Sequence, residues 1–198
     1  MAEYVADSAQ TMAGARDEYY KVNGFAAYGG ASADWVDFKL GPIPMPFPNT
    51  PSRKRAVRYH DLHHALTGYA TDIVGEFEIS GWEIGSGCAD HVAAWQLNLS
   101  GMMGGLLVAP RRTFAAFVRG RRSKNLYRAA YDDALLGRTV GDLRRELGLD
   151  APPPRATAGD VGWFALAALA GLLIGLVLLA LIVPFAVVLN VAALFRRR

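Results

Sequence analysis

The stretch YHDLHHALTGYATDIVGE, residues 59 to 76, tells more about the fold than any other part of the chain. It holds two imidazoles and two carboxylates, spaced as H-D-x-x-H, eleven residues and E: His60, Asp61, His64 and Glu76. The chain has four histidines, and three of them lie in this stretch. Apolar residues surround them, so the segment is expected to be buried, where charged groups need partners or a metal.

A helix over residues 58 to 67 would place the first three of these groups together. His60 and His64 are then stacked one turn apart, and Asp61 lies about 100° round the same face. His63 points away from Asp61 and is the least expected ligand among the three histidines of the stretch.

Glu76 can reach the histidines only if the chain turns back, because it lies roughly 18 Å beyond His64 on a straight helix. Gly68 is expected to end the first helix in the left-handed conformation, and Thr71 to cap a second one. The sequence therefore predicts an antiparallel helix pair with Glu76 facing the histidines.

Mixed imidazole and carboxylate ligands suit zinc, and also iron or manganese, as a divalent metal. Four protein ligands would close a tetrahedral site, whereas an open position would require one carboxylate to act as a base or as a supporting partner. The alternative is a buried polar network without a metal.

These residues, with the surrounding HALTGYATDIVGE, resemble the signature of the coenzyme Q (ubiquinone) biosynthesis protein 4 family, H-D-x-x-H-x(11)-E. The resemblance is strong over residues 57 to 80. It is weaker over 89 to 150, where YRAAYDDALLGRTVGDLRRELGL is similar to the closing helices of that family.

The resemblance implies an all-α domain that binds a divalent metal through His60, Asp61, His64 and Glu76. It also implies association with membrane lipid and with isoprenoid quinone precursors. Members of the family act in the oxidative removal of the ring C1 carboxylate during ubiquinone biosynthesis, and in organising other quinone-biosynthesis enzymes.

Composition limits the remaining possibilities. Residues 1 to 150 have the size of one helical domain. The single cysteine, Cys88, excludes an intramolecular disulfide and fits a reducing compartment, and the N-terminus has no apolar signal segment. The net charge is only +3, without a concentrated basic face, so no nucleic-acid partner is expected.

Two segments beside the motif have distinctive compositions. Residues 41 to 51, GPIPMPFPNTP, are expected to be extended and non-helical because of five prolines. Residues 111 to 128 are expected to form a basic amphipathic helix. Its basic residues could contact an anionic membrane surface, hold an acidic group of the substrate, or face solvent: Arg111, Arg112, Arg119, Arg121, Arg122 and Lys124.

The C-terminus predicts a membrane anchor. A proline-rich linker at residues 151 to 160 precedes a tail, residues 161 to 198, in which 33 consecutive residues from Trp163 to Phe195 carry no charge. Pro184 permits either one tilted helix or a helical hairpin. A hairpin would let both the domain and the closing arginines face the cytoplasm, which is the favoured arrangement.

A stripe of small residues in the tail, Ala167, Gly171 and Gly175, could pair two copies in a homodimer. Two functions follow from the whole pattern. One is a metal-dependent decarboxylase that acts on a prenylated hydroxybenzoate at the membrane. The other is a lipid-binding scaffold without catalytic activity, in which the metal only braces a helix pair.

Overall fold

A computed structural model describes residues 5–25, 33–37, 39–40, 43–44 and 46–196. The all-α prediction is confirmed, because helices dominate and the described strands are two residues long. The helices are α1 (Met12–Asn23), α2 (Pro51–Thr67), α3 (Ile73–Ser86), α4 (Val92–Val108), α5 (Pro110–Gly120), α6 (Asp133–Leu136), α7 (Val140–Leu147) and α8 (Ala158–Arg196).

The strands form two short antiparallel ribbons between α1 and α2. β1 (Trp35–Val36) pairs with β4 (Phe47–Pro48), and β2 (Lys39–Leu40) pairs with β3 (Ile43–Pro44). The extended conformation expected for the proline-rich run is therefore present in its described part up to Pro48. Pro51 is an exception, because it begins α2.

Local sequence explains where α2 begins and ends. The Thr50 hydroxyl accepts from the Arg53 backbone N–H, and Pro51 occupies the first turn, where a missing N–H costs nothing. Gly68 ends the helix with φ 76°, as predicted, and donates to the His64 carbonyl. The helix is thus seven residues longer at its N-terminus than the predicted range from residue 58.

α3 lies at the centre of the domain, against α2, α4 and α5. Trp82 on α3 is fully buried, with Ile79 beside it on the same helix. α3 and α5 approach closely because glycines line the contact: a Cβ at Gly85 would overlap the carbonyl oxygen of Phe117, and one at Gly120 would overlap that of Trp82. This close approach fixes the orientation of the other faces of α3.

The C-terminal tail is one continuous helix of 39 residues with Pro184 inside it, so the hairpin alternative is wrong. The segment Ala158–Leu181 is long and apolar enough to cross a membrane, with mean hydropathy 2.8, which is consistent with membrane anchoring. A single span would place the domain and Arg196 on opposite sides of the membrane, so they cannot both be cytoplasmic. A cytoplasmic domain stays a prediction.

The first half of α8 packs on the domain and is not a separate tail. It begins at Ala158, within the predicted linker, and the Phe164 ring meets the rings of Phe114 and Phe117 in α5. Gly171 lies against α4, where a Cβ would come within 2.7 Å of the Leu99 carbonyl oxygen. Gly171 is therefore covered by its own chain and is not available to the predicted dimer stripe.

Candidate metal centre

The H-D-x-x-H-x(11)-E motif lies on α2 and α3, which run antiparallel across a short turn. α3 is capped by Asp72, whose carboxylate accepts from the Gly75 backbone N–H at 2.8 Å. The predicted cap, Thr71, is wrong by one residue, and its hydroxyl instead donates to Asn23 of α1 at 2.5 Å. The first turn of α3 brings Glu76 back beside the histidines of α2, as expected.

Three of the four predicted ligands converge: one ligand atom each from His60, His64 and Glu76 lies within 4.8 Å of the others. The two Nε2 atoms of the histidines are 3.2 Å apart. Each Nε2 lies 3.4 Å from a different oxygen of the Glu76 carboxylate. The group therefore consists of two nitrogens and one carboxylate aimed at a common point.

The second ring nitrogen of each imidazole, Nδ1, is hydrogen-bonded to an acceptor. His60 Nδ1 lies 3.1 Å from the Glu83 carboxylate, and His64 Nδ1 lies 2.9 Å from the Tyr69 carbonyl oxygen. Carboxylates and carbonyls only accept, so both Nδ1 atoms carry a proton, and in the neutral rings both Nε2 atoms present lone pairs. Two Nε2 atoms 3.2 Å apart beside a carboxylate need a positive charge between them, either a proton on one ring or a bound cation.

The spacing suits a divalent metal such as zinc. Zinc–nitrogen bonds of about 2.0–2.1 Å in tetrahedral geometry place neighbouring ligand nitrogens about 3.3 Å apart. A carboxylate or carbonyl that holds the far nitrogen of each ligating histidine is typical of metal sites in proteins. Three protein ligands would leave one coordination position for water or substrate, as in catalytic rather than structural zinc sites.

Asp61, the fourth predicted ligand, lies beside the group but is turned towards α1. Its Oδ2 accepts from the Tyr20 hydroxyl at 2.9 Å, and the residue is buried. Burial raises the pKa of Asp61, against the opposing charge of His60 and the hydrogen bond from Tyr20. Asp61 therefore does not converge with His60, His64 and Glu76. It supports the site by joining α2 to Tyr20 of α1.

Sequence reasoning missed Glu83, a carboxylate that accepts four hydrogen bonds inside the domain. It is fully buried and accepts from His60, from His63 Nδ1 at 2.7 Å, from the Tyr127 hydroxyl at 2.6 Å and from the Asn98 side-chain amide. A signal for it exists in the sequence: Glu83 lies seven residues after Glu76, two turns along the same face of α3.

His63 does not join the converging group, in agreement with the prediction that it is the least expected ligand. It forms hydrogen bonds within the fold instead. Its Nε2 accepts from the Leu126 backbone N–H at 3.0 Å, so its Nδ1 carries the proton that binds Glu83. Burial lowers the pKa of His63, which keeps the ring neutral. Through Glu83, His63 links α2 to α3 and to the loop after α5.

The two carboxylates of the site and His60 stabilise one another's charges. Burial would raise the pKa of Glu83 and Glu76, but hydrogen bonds and charge from the histidines outweigh it, and the pKa of Glu76 falls to about 2. Burial would lower the pKa of His60, but the two carboxylates hold it well above its usual value. Both carboxylates are therefore ionised, and the centre attracts positive charge.

A cavity of about 390 Å³ adjoins the converging group. His60 and Glu76 line it, and its other walls are largely apolar, including Phe77 and Leu97. Arg53 also lines it; burial lowers the pKa of this guanidinium, and its Nε has no hydrogen-bond partner among the described residues. The cavity thus combines a candidate metal, an apolar wall and one cation.

Four of the six basic residues expected to contact substrate or membrane are bound within the chain. Arg112 forms a bidentate pair with Glu78, at 2.8 and 2.5 Å. Arg119 donates to the carbonyl oxygens of Thr67 and Leu149. These two side chains hold α5 to its neighbours.

Arg121 and Arg122 both bind the Asp160 carboxylate, which fixes the beginning of α8. Arg111 and Lys124 are exposed, and contact with substrate or membrane stays a prediction for them. The predicted helix to residue 128 is too long, since α5 ends at Gly120.

Comparison of the chain with protein-family models, with curated proteins and with solved structures found no match. The resemblance to the coenzyme Q biosynthesis protein 4 family therefore rests on the motif and its surrounding segment.

Proposed function

We propose that this chain is a membrane-anchored, metal-dependent protein of ubiquinone biosynthesis that acts in C1 decarboxylation of a prenylated hydroxybenzoate. The observation that carries the proposal is the converging set of His60, His64 and Glu76 at the wall of a largely apolar cavity. Three ligands and an adjoining cavity favour a reactive site over a closed structural one.

A divalent metal held by these three residues would supply a Lewis acid that polarises an oxygen of the substrate. The chain's own residues would orient the rest. Arg53 has a free donor in the cavity wall and would bind the carboxylate of an aromatic acid. Phe77 and Leu97 would exclude water from the ring.

In the reaction, the bond between ring C1 and the carboxyl carbon breaks and CO₂ leaves. The electron pair that stays on C1 takes a proton. The Tyr20 hydroxyl is hydrogen-bonded to Asp61 Oδ2, and Asp61 lines the cavity, so this pair would supply the proton.

The test uses the full chain purified in detergent without chelators. Bound metal is measured by elemental mass spectrometry, and CO₂ release is measured from a carboxyl-labelled prenylated hydroxybenzoate. We expect about one metal per chain and turnover in the parent, and neither in His64→Ala. Glu78→Gln is the control, because Glu78 lies two residues from Glu76 but binds Arg112. Bound metal without CO₂ release would refute the decarboxylase.

The alternative is a lipid-binding scaffold without turnover that organises other quinone-biosynthesis enzymes. The Glu83 network favours it, because one buried carboxylate joins α2, α3, α4 and the loop at Tyr127. In a scaffold, removal of the metal should lower thermal stability while the Glu76→Gln variant binds prenylated acids normally. In the enzyme, Glu76→Gln should lose turnover and remain folded.

A further inference from the structure

The glycines of α4 show how this helix is oriented against α3. A Cβ added at Gly101 would overlap the Ser80 side chain, and one added at Gly104 would overlap the Phe77 ring. Residue numbers that rise along α4 therefore fall along α3, so the two helices are antiparallel. The C-terminal end of α4 consequently lies beside the beginning of α3.

α5 runs parallel to α3 and therefore antiparallel to α4. A Cβ at Gly81 would overlap the Thr113 carbonyl oxygen, and one at Gly85 would overlap the carbonyl oxygen of Phe117. Residue numbers thus rise together along α3 and α5. The beginnings of both helices consequently lie at the C-terminal end of α4.

α8 runs antiparallel to α5 and therefore parallel to α4. Asp160, near the beginning of α8, binds Arg121 just after α5, whereas the Phe164 ring meets the Phe114 ring in the first half of α5. Along α8, the contacts with α5 therefore move towards the beginning of α5. The free C-terminal half of α8 leaves the domain at the end of α4 that carries Val108.

The length of α8 beyond this end is close to the thickness of a bilayer core. Gly171 lies against Leu99 and Met103 in the middle of α4. α4 ends about seven residues beyond this contact, level with residue 178 of α8. From residue 178 to Arg196 the helix rises about 27 Å, against roughly 30 Å for a hydrocarbon core. A bilayer crossed by this part of α8 would therefore begin at the end of the domain.

Large apolar side chains are exposed at this end of the domain. In the last turn of α4, Leu107 is 86% exposed and Val108 is 58% exposed, and Ile73 is 66% exposed at the beginning of α3. Pro110, the first residue of α5, is exposed beside them. These four residues form what we call the apolar corner. Exposed apolar groups collected at one end of a charged domain are typical of a surface that meets a partner or a membrane.

The charges near the apolar corner are paired, bonded or able to remain in water. Arg112 is paired with Glu78, and the Asp72 carboxylate accepts from the backbone at the beginning of α3. Arg111 is exposed, and its long side chain can place the guanidinium among lipid headgroups while its stem stays beside apolar groups. Charge therefore does not keep this end of the domain from a membrane interface.

The opposite end of α4 is different. Val92 is also exposed there, but it follows Asp90, which forms an ion pair with Arg55. Arg58 and Arg128 line the same surface cavity as this pair. Lipid that covered this end would have to desolvate all of these charges, which is unfavourable. The two ends of α4 therefore differ in what they can contact.

We propose that the apolar corner lies in the interface of the bilayer that α8 enters, with Leu107 and Val108 at the edge of the hydrocarbon core. The domain then stands on this end and does not hang freely from its anchor. α8 identifies the partner as lipid, because its apolar free half leaves the domain beside the corner. The inference rests on membrane anchoring, which belongs to the proposed function, but not on a bound metal or on decarboxylation.

Spin-label accessibility in phosphatidylcholine vesicles tests the proposal on the full chain. A nitroxide is attached at Leu107→Cys, at Val92→Cys as the matched control on the same helix, and at Val187→Cys to report on α8 itself. All three positions are exposed in the domain or on α8, so the substitutions leave the core intact. Cys88 is buried and is kept, and the parent treated with the same label measures any background from it.

Each label is measured for collisions with oxygen, which concentrates in lipid, and with a water-soluble nickel chelate. The ratio of oxygen to nickel collisions should be several-fold higher at Leu107→Cys than at Val92→Cys, and highest at Val187→Cys. A ratio at Leu107→Cys as low as at Val92→Cys, with a high ratio at Val187→Cys, would overturn the membrane contact of the corner and leave the anchor intact. A low ratio at Val187→Cys would refute membrane anchoring itself and the corner with it.

Two further outcomes would also overturn the proposal. Few collisions with either reagent at Leu107→Cys would show that protein covers the corner, either a second copy of the chain or another partner. A high ratio at Val92→Cys as well as at Leu107→Cys would place the whole length of α4 in lipid, with the domain beside the bilayer core and not standing on its surface.

Discussion

Replacement of Glu83 by glutamine tests both the packing of the domain and the orientation of the metal ligands. The carboxylate accepts four hydrogen bonds inside the protein, from His60, His63, Tyr127 and Asn98. A glutamine carbonyl can still serve the two histidines, since both bind the same oxygen, Oε1. Its amide group would then face the other two donors.

The magnitude follows from the bonds that glutamine cannot accept. The Tyr127 hydroxyl can turn and accept from the new amide, but the NH₂ group of Asn98 loses its acceptor unless the carboxamide flips to present Oδ1. Hydrogen bonds to a charged group contribute about 1.5–3 kcal/mol each, and a buried ion network costs about 3–5 kcal/mol when one partner is removed. We therefore expect Glu83→Gln to lower the free energy of unfolding by about 3 kcal/mol.

The second effect is on the metal. A carboxylate that holds the far nitrogen of a ligating histidine typically changes metal affinity by about 10–100-fold when removed. Glu83→Gln should therefore weaken metal binding by a factor in this range, measured by competition with a chromophoric chelator. The stability measurement uses metal-free protein, so that the two effects are separated.

Denaturant unfolding followed by tryptophan fluorescence is a suitable assay, because Trp82 is fully buried beside His63. Glu146→Gln is the matched control: its partner Arg138 and its own side chain are exposed to solvent, so less than about 1 kcal/mol is expected. Unchanged unfolding in Glu83→Gln would refute the buried network. Lost stability with unchanged metal affinity would refute the role of Glu83 in orienting His60.

Three further substitutions test other parts of the structure. Asp61→Asn should retain bound metal in elemental analysis, because the Asp61 carboxylate binds Tyr20 and not the group of His60, His64 and Glu76. Metal loss equal to that of His64→Ala would show that Asp61 is a ligand after all. Arg53→Gln should raise the KM for a carboxylate substrate about 10–100-fold with unchanged metal content, and an unchanged KM would exclude it from binding. Gly85→Ala should destabilise the domain by about 3 kcal/mol in denaturant unfolding, because its Cβ overlaps the Phe117 carbonyl; wild-type stability would contradict the close packing of α3 and α5.

The parts of the fold that depend on neighbouring residues could be predicted from the sequence. Gly68 ends α2 because only a residue that tolerates positive φ fits there, and the eight residues to Glu76 are enough to turn back. Pro51 was assigned to the extended run because four other prolines precede it closely. With Thr50 before it, the same residue is a favourable first residue of a helix.

The contacts of the site that join distant segments could not be predicted in this way. Asp61 is on the expected face of α2, but its partner Tyr20 is 41 residues away on α1. The partners of Glu83 lie on three other segments, so its sequence position alone does not indicate four hydrogen bonds. Arg53 stands in the run Arg53-Lys54-Arg55, whose charges alone indicate a solvated surface, and only the folding of α2 against α3 and α4 places it in the cavity.

The apolar character of α4 has a physical reason in its position between the candidate metal centre and α8. Leu97, Asn98 and Gly101 line the cavity of the candidate metal centre, whereas Leu99 and Met103 lie towards α8. One side of α4 lines the cavity and the opposite side packs against α8, so neither side is free for charged residues. Accordingly, α4 has no charged residue. It separates the cavity from α8 by one helix diameter, about 10 Å. In the proposed reaction, only α4 would separate a substrate tail in lipid beside α8 from Arg53 in the cavity. Membrane anchoring and the proposed chemistry therefore both require that α4 be apolar.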